Sequence, residues 1–77
     1  MADQRAPAVP AAFGDALFAL RRDRGWSLKR AGLAAGVSVM TVTRAEQHEN
    51  VGLAAAVALA AAYGTTLGEL LGGQARP

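Results

Sequence analysis

Three cationic side chains of this chain stand where they could meet an anion. Lys29 and Arg30 follow Ser27 in the stretch "SLKR". A serine ahead of a helical run is a good N-cap, because its hydroxyl accepts a hydrogen bond from a backbone N–H that the helix leaves free. Cations in the turn that follows oppose the positive end of the helix dipole. A phosphate bound there would remove the conflict; tolerated surface charge is the plainer reading. Arg44 lies in "SVMTVTRAEQ". Its guanidinium can donate two parallel hydrogen bonds to a guanine, and the apolar tips of Val39 and Met40 can meet thymine methyl groups. On composition alone, "VMTV" is ordinary packing and Arg44 a solvated charge.

Other chemistries find no support in the residue types. The chain has one histidine, His48, and no cysteine, so it can form neither a thiolate metal site nor a disulfide framework. His48 lacks neighbours to complete a metal centre. There is no pair of carboxylates at helical spacing in a cleft, and no phosphate-cradling glycine loop before a helix. Neither an enzyme nor a cofactor or metal is expected.

These residues need a scaffold, and 77 residues suffice for one small domain. Hydrophobic residues make up 52% of the chain, much of it alanine, and aromatic residues only 5%. The core must therefore be thin, with helix propensity contributing part of the order. A net charge of +2 permits an anionic partner without demanding one. Pro7, Pro10, Gly14 and Asp15 interrupt the N-terminal segment, so it lacks the apolar run of a signal peptide. The uncharged stretch from Val51 to Tyr63 is short of the roughly 20 residues a membrane span needs. A soluble, unexported, cytoplasmic protein is expected.

The pattern predicts an all-α, compact five-helix domain over residues 10–71, between a loose arm at 1–9 and a frayed tail at 72–77. Phe13, Ala16, Leu17 and Leu20 recur at helical spacing from Pro10 to Arg24, and Gly25 ends that run. Ser27 opens a second helix whose Ala31, Gly32 and Ala35 form a small-residue face before Gly36. Ser38 caps a third helix, over 38–47, in which Val42 and Ala45 point one way and Val39, Met40, Thr43, Arg44 and Gln47 lie on the other side. Leu53, Ala56, Val57, Ala60 and Tyr63 mark a fourth helix. Thr66 caps a last one containing Leu67, Leu70 and Leu71.

The whole stretch "LRRDRGWSLKRAGLAAGVSVMTVTRAEQHENVGLAAAVALAAAYGTTLGELL" resembles the phage repressor and Cro-like (XRE-type) helix-turn-helix family. The elements that carry the resemblance are "RRDRG" closing the first helix, Ser27, "GVS" at the turn, Glu46 and "YGTTLGELL", in that order. The resemblance implies a lambda repressor-like DNA-binding domain whose third helix enters the major groove of double-stranded DNA. Val39, Met40, Thr43 and Arg44 would then face bases. Ser38, Thr41 and Gln47 would lie near phosphates, as would the start of the second helix at Ser27, Lys29 and Arg30.

It also implies an ion pair between Arg21 and Glu46, tying the first helix to the end of the third. His48 stands where the family usually has glycine, and Val51 replaces a common proline, which would loosen that loop. Leu28 replaces a DNA-contacting glutamine, and Gly32 an alanine. Phe18 and Leu33 fall opposite the apolar faces of their helices, as scattered surface residues or as a protein contact. The resemblance thus points to a bacterial or phage-encoded repressor, associated with the nucleoid when bound to DNA. A homodimer is expected through the C-terminal helices, whose apolar surface exceeds what so small a domain buries alone. The rival reading is a protein-interaction module of the same fold, an antitoxin or a phage protein that binds a host factor, with DNA binding weakened or lost.

Overall fold

The computed structural model describes residues 11–72. Those residues form five helices and no strand: α1 (Ala11–Arg24), α2 (Leu28–Ala35), α3 (Val39–Glu46), α4 (Leu53–Ala62) and α5 (Leu67–Gly72). The arm at 1–9, Pro10 and positions 73–77 of the expected tail lie outside the described residues.

Side-chain caps explain where three of the helices begin. The Ser27 hydroxyl accepts from the Arg30 N–H at 3.0 Å, and the Ser38 hydroxyl accepts from the Thr41 N–H at the same distance. At α5 the exchange is reciprocal: Glu69 N–H donates to Thr66 Oγ1 at 3.1 Å, and Thr66 N–H donates back to the Glu69 carboxylate at 3.2 Å. The Thr65 hydroxyl adds a third bond to that carboxylate at 2.6 Å. This hydroxyl first, then the Thr66 N–H, holds the Glu69 carboxyl below its ordinary pKa.

α2 stops at Gly36, whose φ of 75° places it in the left-handed region, and the N–H groups of Gly36 and Val37 both return to the Gly32 carbonyl. Gly32 explains how close the turn comes. A Cβ built there would lie 2.8 Å from the Val37 carbonyl oxygen, so the chain leaving α2 folds back where a side chain would obstruct it.

The core is formed by Phe13 and Leu17 of α1, Ala31 of α2, Val42 and Ala45 of α3, and Ala56, Leu59, Ala60 and Tyr63 of α4 and its C-terminal end. α2 packs on α3 and α4, and α1 on α3 and α5. The face of α4 keeps Ala56, Ala60 and Tyr63 of the expected stripe but not Leu53 and Val57. Leu59 is buried, whereas Leu53 is 72% exposed and Val57 nearly half exposed. An all-apolar helix carries no polar face to mark its outside, so periodicity alone cannot orient it.

Leu67, Leu70 and Leu71 of α5 are partly buried and pack against the core, so the most exposed apolar side chains of the two C-terminal helices are Leu53 and Val57 of α4. Val51 packs there too, and the Glu49 N–H bonds the Arg44 carbonyl at 2.9 Å. The loop after α3 is therefore held rather than loosened. Among the described residues, no helix is long and apolar enough to cross a membrane.

Candidate nucleic-acid interface

α3 has two sides with opposite duties. Val42 and Ala45 are buried, and the opposite side offers Val39, Met40 and Arg44 to solvent, with Thr43 half-buried beside them. Val39 and Met40 are 43% and 58% exposed, so the outer side of the helix carries two apolar side chains beside Arg44. At the helix start, Ser38 Oγ and Thr41 Oγ1 lie 3.0 Å apart, so the cap also fixes the Thr41 side chain. Gln47 caps the other end and is exposed.

What holds this helix still is Arg21. Its Nε donates to Glu46 Oε2 at 2.7 Å and its Nη2 to Oε1 at 3.0 Å, a two-pronged geometry matched to a carboxylate. The third prong, Nη1, donates to the Trp26 carbonyl at 3.0 Å. One side chain thus ties α1, the α1–α2 turn and the end of α3 together. The bond to Glu46 raises the arginine's pKa further, against a smaller opposing effect of burial.

Backbone proximity reinforces the tie. A Cβ at Gly14 would lie 2.5 Å from the Ala45 carbonyl oxygen, so α1 meets the end of α3 through a position with room for hydrogen only. His48, in the left-handed region at φ 68°, extends the contact: its Nε2 lies 2.8 Å from Asp15 Oδ1.

At the start of α2, Ser27, Lys29 and Arg30 are exposed. The Arg30 guanidinium does not stand free in solvent: it stacks on Trp26, 5.4 Å from the ring centroid. Arg24 stacks on the same ring at 5.3 Å and on Tyr63 at 5.4 Å. It also donates to the Tyr63 carbonyl at 3.0 Å, so it caps the C-terminal end of α4.

The sequence places Arg24 at the end of the first helix, within "RRDRG", and gives no sign of its contacts with Trp26 and Tyr63. Tyr63 is buried, and among the described residues its hydroxyl has no hydrogen-bond partner. Burial first, then the Glu46 charge, push its pKa up. Phe18 is 44% exposed, as expected, with the Arg21 and Arg22 guanidiniums 5.5 and 5.6 Å from its ring centroid. Leu33 remains 67% exposed. Among the described residues, no cluster of three or more His, Cys, Asp or Glu could hold a metal ion.

Two capped helices, a tight glycine turn between them and a second helix presenting its outer side define a helix-turn-helix domain. Residues 17–70 match the helix-turn-helix family model, and the chain belongs to that family. In general such a domain is that of a DNA-binding regulator, and the family is not typically enzymatic. No curated protein matches the sequence.

Proposed function

We propose that the protein is a sequence-specific transcriptional repressor that reads the major groove with the outer side of α3. The observation that carries this reading is the exposure of Val39, Met40 and Arg44 on a helix anchored from behind by the Arg21–Glu46 pair. Such a helix is held rigidly while its solvent side carries no structural duty. Arg44 is the residue for guanine, and Val39 and Met40 are suited to thymine methyl groups. Thr43 completes the base-facing set. Ser38, Thr41, Gln47, Ser27, Lys29 and Arg30 are assigned to the phosphate backbone. No catalysis or cofactor is part of the reading, and the setting is the cytoplasm, on the nucleoid when bound.

We assign the active form as a homodimer, with one α3 in each of two half-sites about 34 Å apart. The exposed Leu53 and Val57 support self-association through α4 rather than through the packed α5 leucines.

One observation favours a second reading. Val39, Met40 and Leu33 are apolar and exposed, which also suits a protein partner for a domain with weakened DNA binding. Duplex binding followed by fluorescence anisotropy across a salt series separates the two. A groove reader loses affinity linearly in log–log coordinates as salt rises, because phosphate contacts release counterions. A flat or absent response overturns the DNA reading.

A further inference from the structure

Trp26 joins the start of α2 to the rest of the fold, and its ring is fixed from several sides. Its N–H donates to the Arg21 carbonyl at 3.1 Å, and its own carbonyl accepts from Arg21 Nη1 at 3.0 Å. The ring lies 5.3 Å from that of Tyr63, centroid to centroid, and packs against the core. Arg24, bonded to the Tyr63 carbonyl, lies over both rings. The indole is therefore a fixed surface beside the first turn of α2.

Arg30 lies over the same ring in different circumstances. Arg24 commits its donors to the Tyr63 and Ala62 carbonyls at 3.0 and 3.5 Å. The Arg30 guanidinium has the Trp26 ring as its one partner among the described residues, with no carboxylate or carbonyl on its N–H groups. A guanidinium meets a ring with its face and an anion with the N–H groups at its edge. The two contacts therefore do not compete, and one side-chain conformation serves the free and the bound protein.

Resting on the DNA reading, we propose that Trp26 is a positioning residue that holds the Arg30 guanidinium ready for a backbone phosphate. A long side chain free in solvent loses rotamer freedom when it binds, and one already laid on a ring has lost part of it beforehand. The platform is tied in turn to Arg21, whose other bonds hold Glu46 at the end of α3. One side chain thus fixes the phosphate-holding cation and the reading helix in a common frame. A phosphate contact carries no sequence information, so Trp26 acts on every duplex alike.

The test is a double-mutant cycle in the full chain: Trp26→Leu, Arg30→Ala and the two together, with Trp26→Phe as the conservative variant. Binding is measured on a duplex selected from a random pool by the unaltered protein and on a scrambled duplex, across a salt series. Arg30→Ala is expected to weaken both duplexes about threefold to tenfold per protomer. Trp26→Leu is expected to weaken both about twofold to fivefold, and Trp26→Phe, which keeps a ring face, by less than about twofold. With Arg30 already replaced, Trp26→Leu is expected to change affinity by less than about 1.5-fold, since its effect runs through that side chain.

A second measurement needs no change at Trp26 and so decides the matter even where Trp26→Leu fails to fold. In the unaltered protein the Arg30 Cδ protons are expected upfield of those of an unstructured arginine, free and duplex-bound, because the indole ring current acts on them. Loss of that displacement on binding overturns the proposal, as do additive losses in the cycle or an Arg30→Ala variant that binds like the unaltered protein. If the unaltered protein shows no salt-dependent duplex binding, the DNA reading itself has failed. Salt-dependent binding with additive losses removes only the part given to Trp26.

Discussion

Two arginine–glutamate pairs meet the C-terminal end of α3, and they share chemistry but not circumstances. Arg21 and Glu46 join through two bonds of 2.7 and 3.0 Å, with side chains 16% and 8% exposed. Arg44 and Glu49 approach to 3.9 Å through one atom each, in solvent. The first pair lies where water cannot replace either partner, so each charge depends on the other. The second lies where water replaces either at little cost. Burial, not residue type, decides which arginine is part of the scaffold and which is free to be part of a reader.

The largest expected effect falls on the inner pair. Glu46→Ala leaves the Arg21 guanidinium half-buried without its carboxylate, and a loss of about 3 kcal/mol is expected, in the range for broken buried pairs. In a domain this small, that lowers the melting temperature by more than about 10 °C. Arg44→Ala, on the outer side, is expected to change stability by less than about 0.5 kcal/mol. Equal melting shifts for the two variants in calorimetry would erase the distinction between the pairs.

The next effect probes how tightly the inner side is closed. Gly14→Ala places a methyl group 2.5 Å from the Ala45 carbonyl oxygen, a backbone atom that cannot swing aside. A destabilisation of about 1–3 kcal/mol is expected, larger than the helix-propensity gain of alanine over glycine. Denaturant titration gives the sign, and a more stable variant would mean that α1 and α3 have room between them.

A smaller effect tests whether every polar group on the inner side has a duty. The Tyr63 hydroxyl is buried with no partner among the described residues. Tyr63→Phe removes a desolvated group and is expected to leave stability unchanged or raise it by up to about 1 kcal/mol. A clear drop on thermal melting would reveal a bond to that hydroxyl.

The smallest effect lies on the exposed side, at α5. The Glu69 carboxyl is held below its ordinary pKa by Thr65 and Thr66. A lowered folded-state value favours the fold above the ordinary glutamate range, and the contribution is lost as pH falls through the lowered value. Carboxyl carbon resonances followed through an acid titration are expected to show Glu69 titrating below an unstructured glutamate. A midpoint at or above that reference would show the cap bonds to be unformed.

The helix boundaries were legible because their signals are local. Ser27, Ser38 and Thr66 each cap a helix, and Gly36 ends one. The inner and outer sides of α3 were legible for the same reason, since Val42 and Ala45 alternate with polar neighbours at helical spacing. α4 was not, because alanine, leucine and valine on every side give no polarity to orient, and Leu59 rather than Leu53 entered the core. The work of Arg24 and the approach of Glu49 to Arg44 were hidden too. The first joins residues 39 apart in sequence, and the second depends on a left-handed turn at a non-glycine residue.

The central claim is that the outer side of α3 reads bases while the start of α2 holds phosphates. The most direct test is binding of the unaltered protein, Arg44→Ala and Lys29→Ala to a selected duplex and to its scrambled counterpart, across a salt series. Arg44→Ala is expected to cost about 1–3 kcal/mol at one base pair per half-site and to reduce the ratio of specific to nonspecific affinity. Lys29→Ala is expected to weaken both duplexes alike and to flatten the salt slope by up to about one unit. An unchanged affinity ratio for Arg44→Ala would contradict the account, because the exposed side of α3 would then not be reading bases through its one arginine.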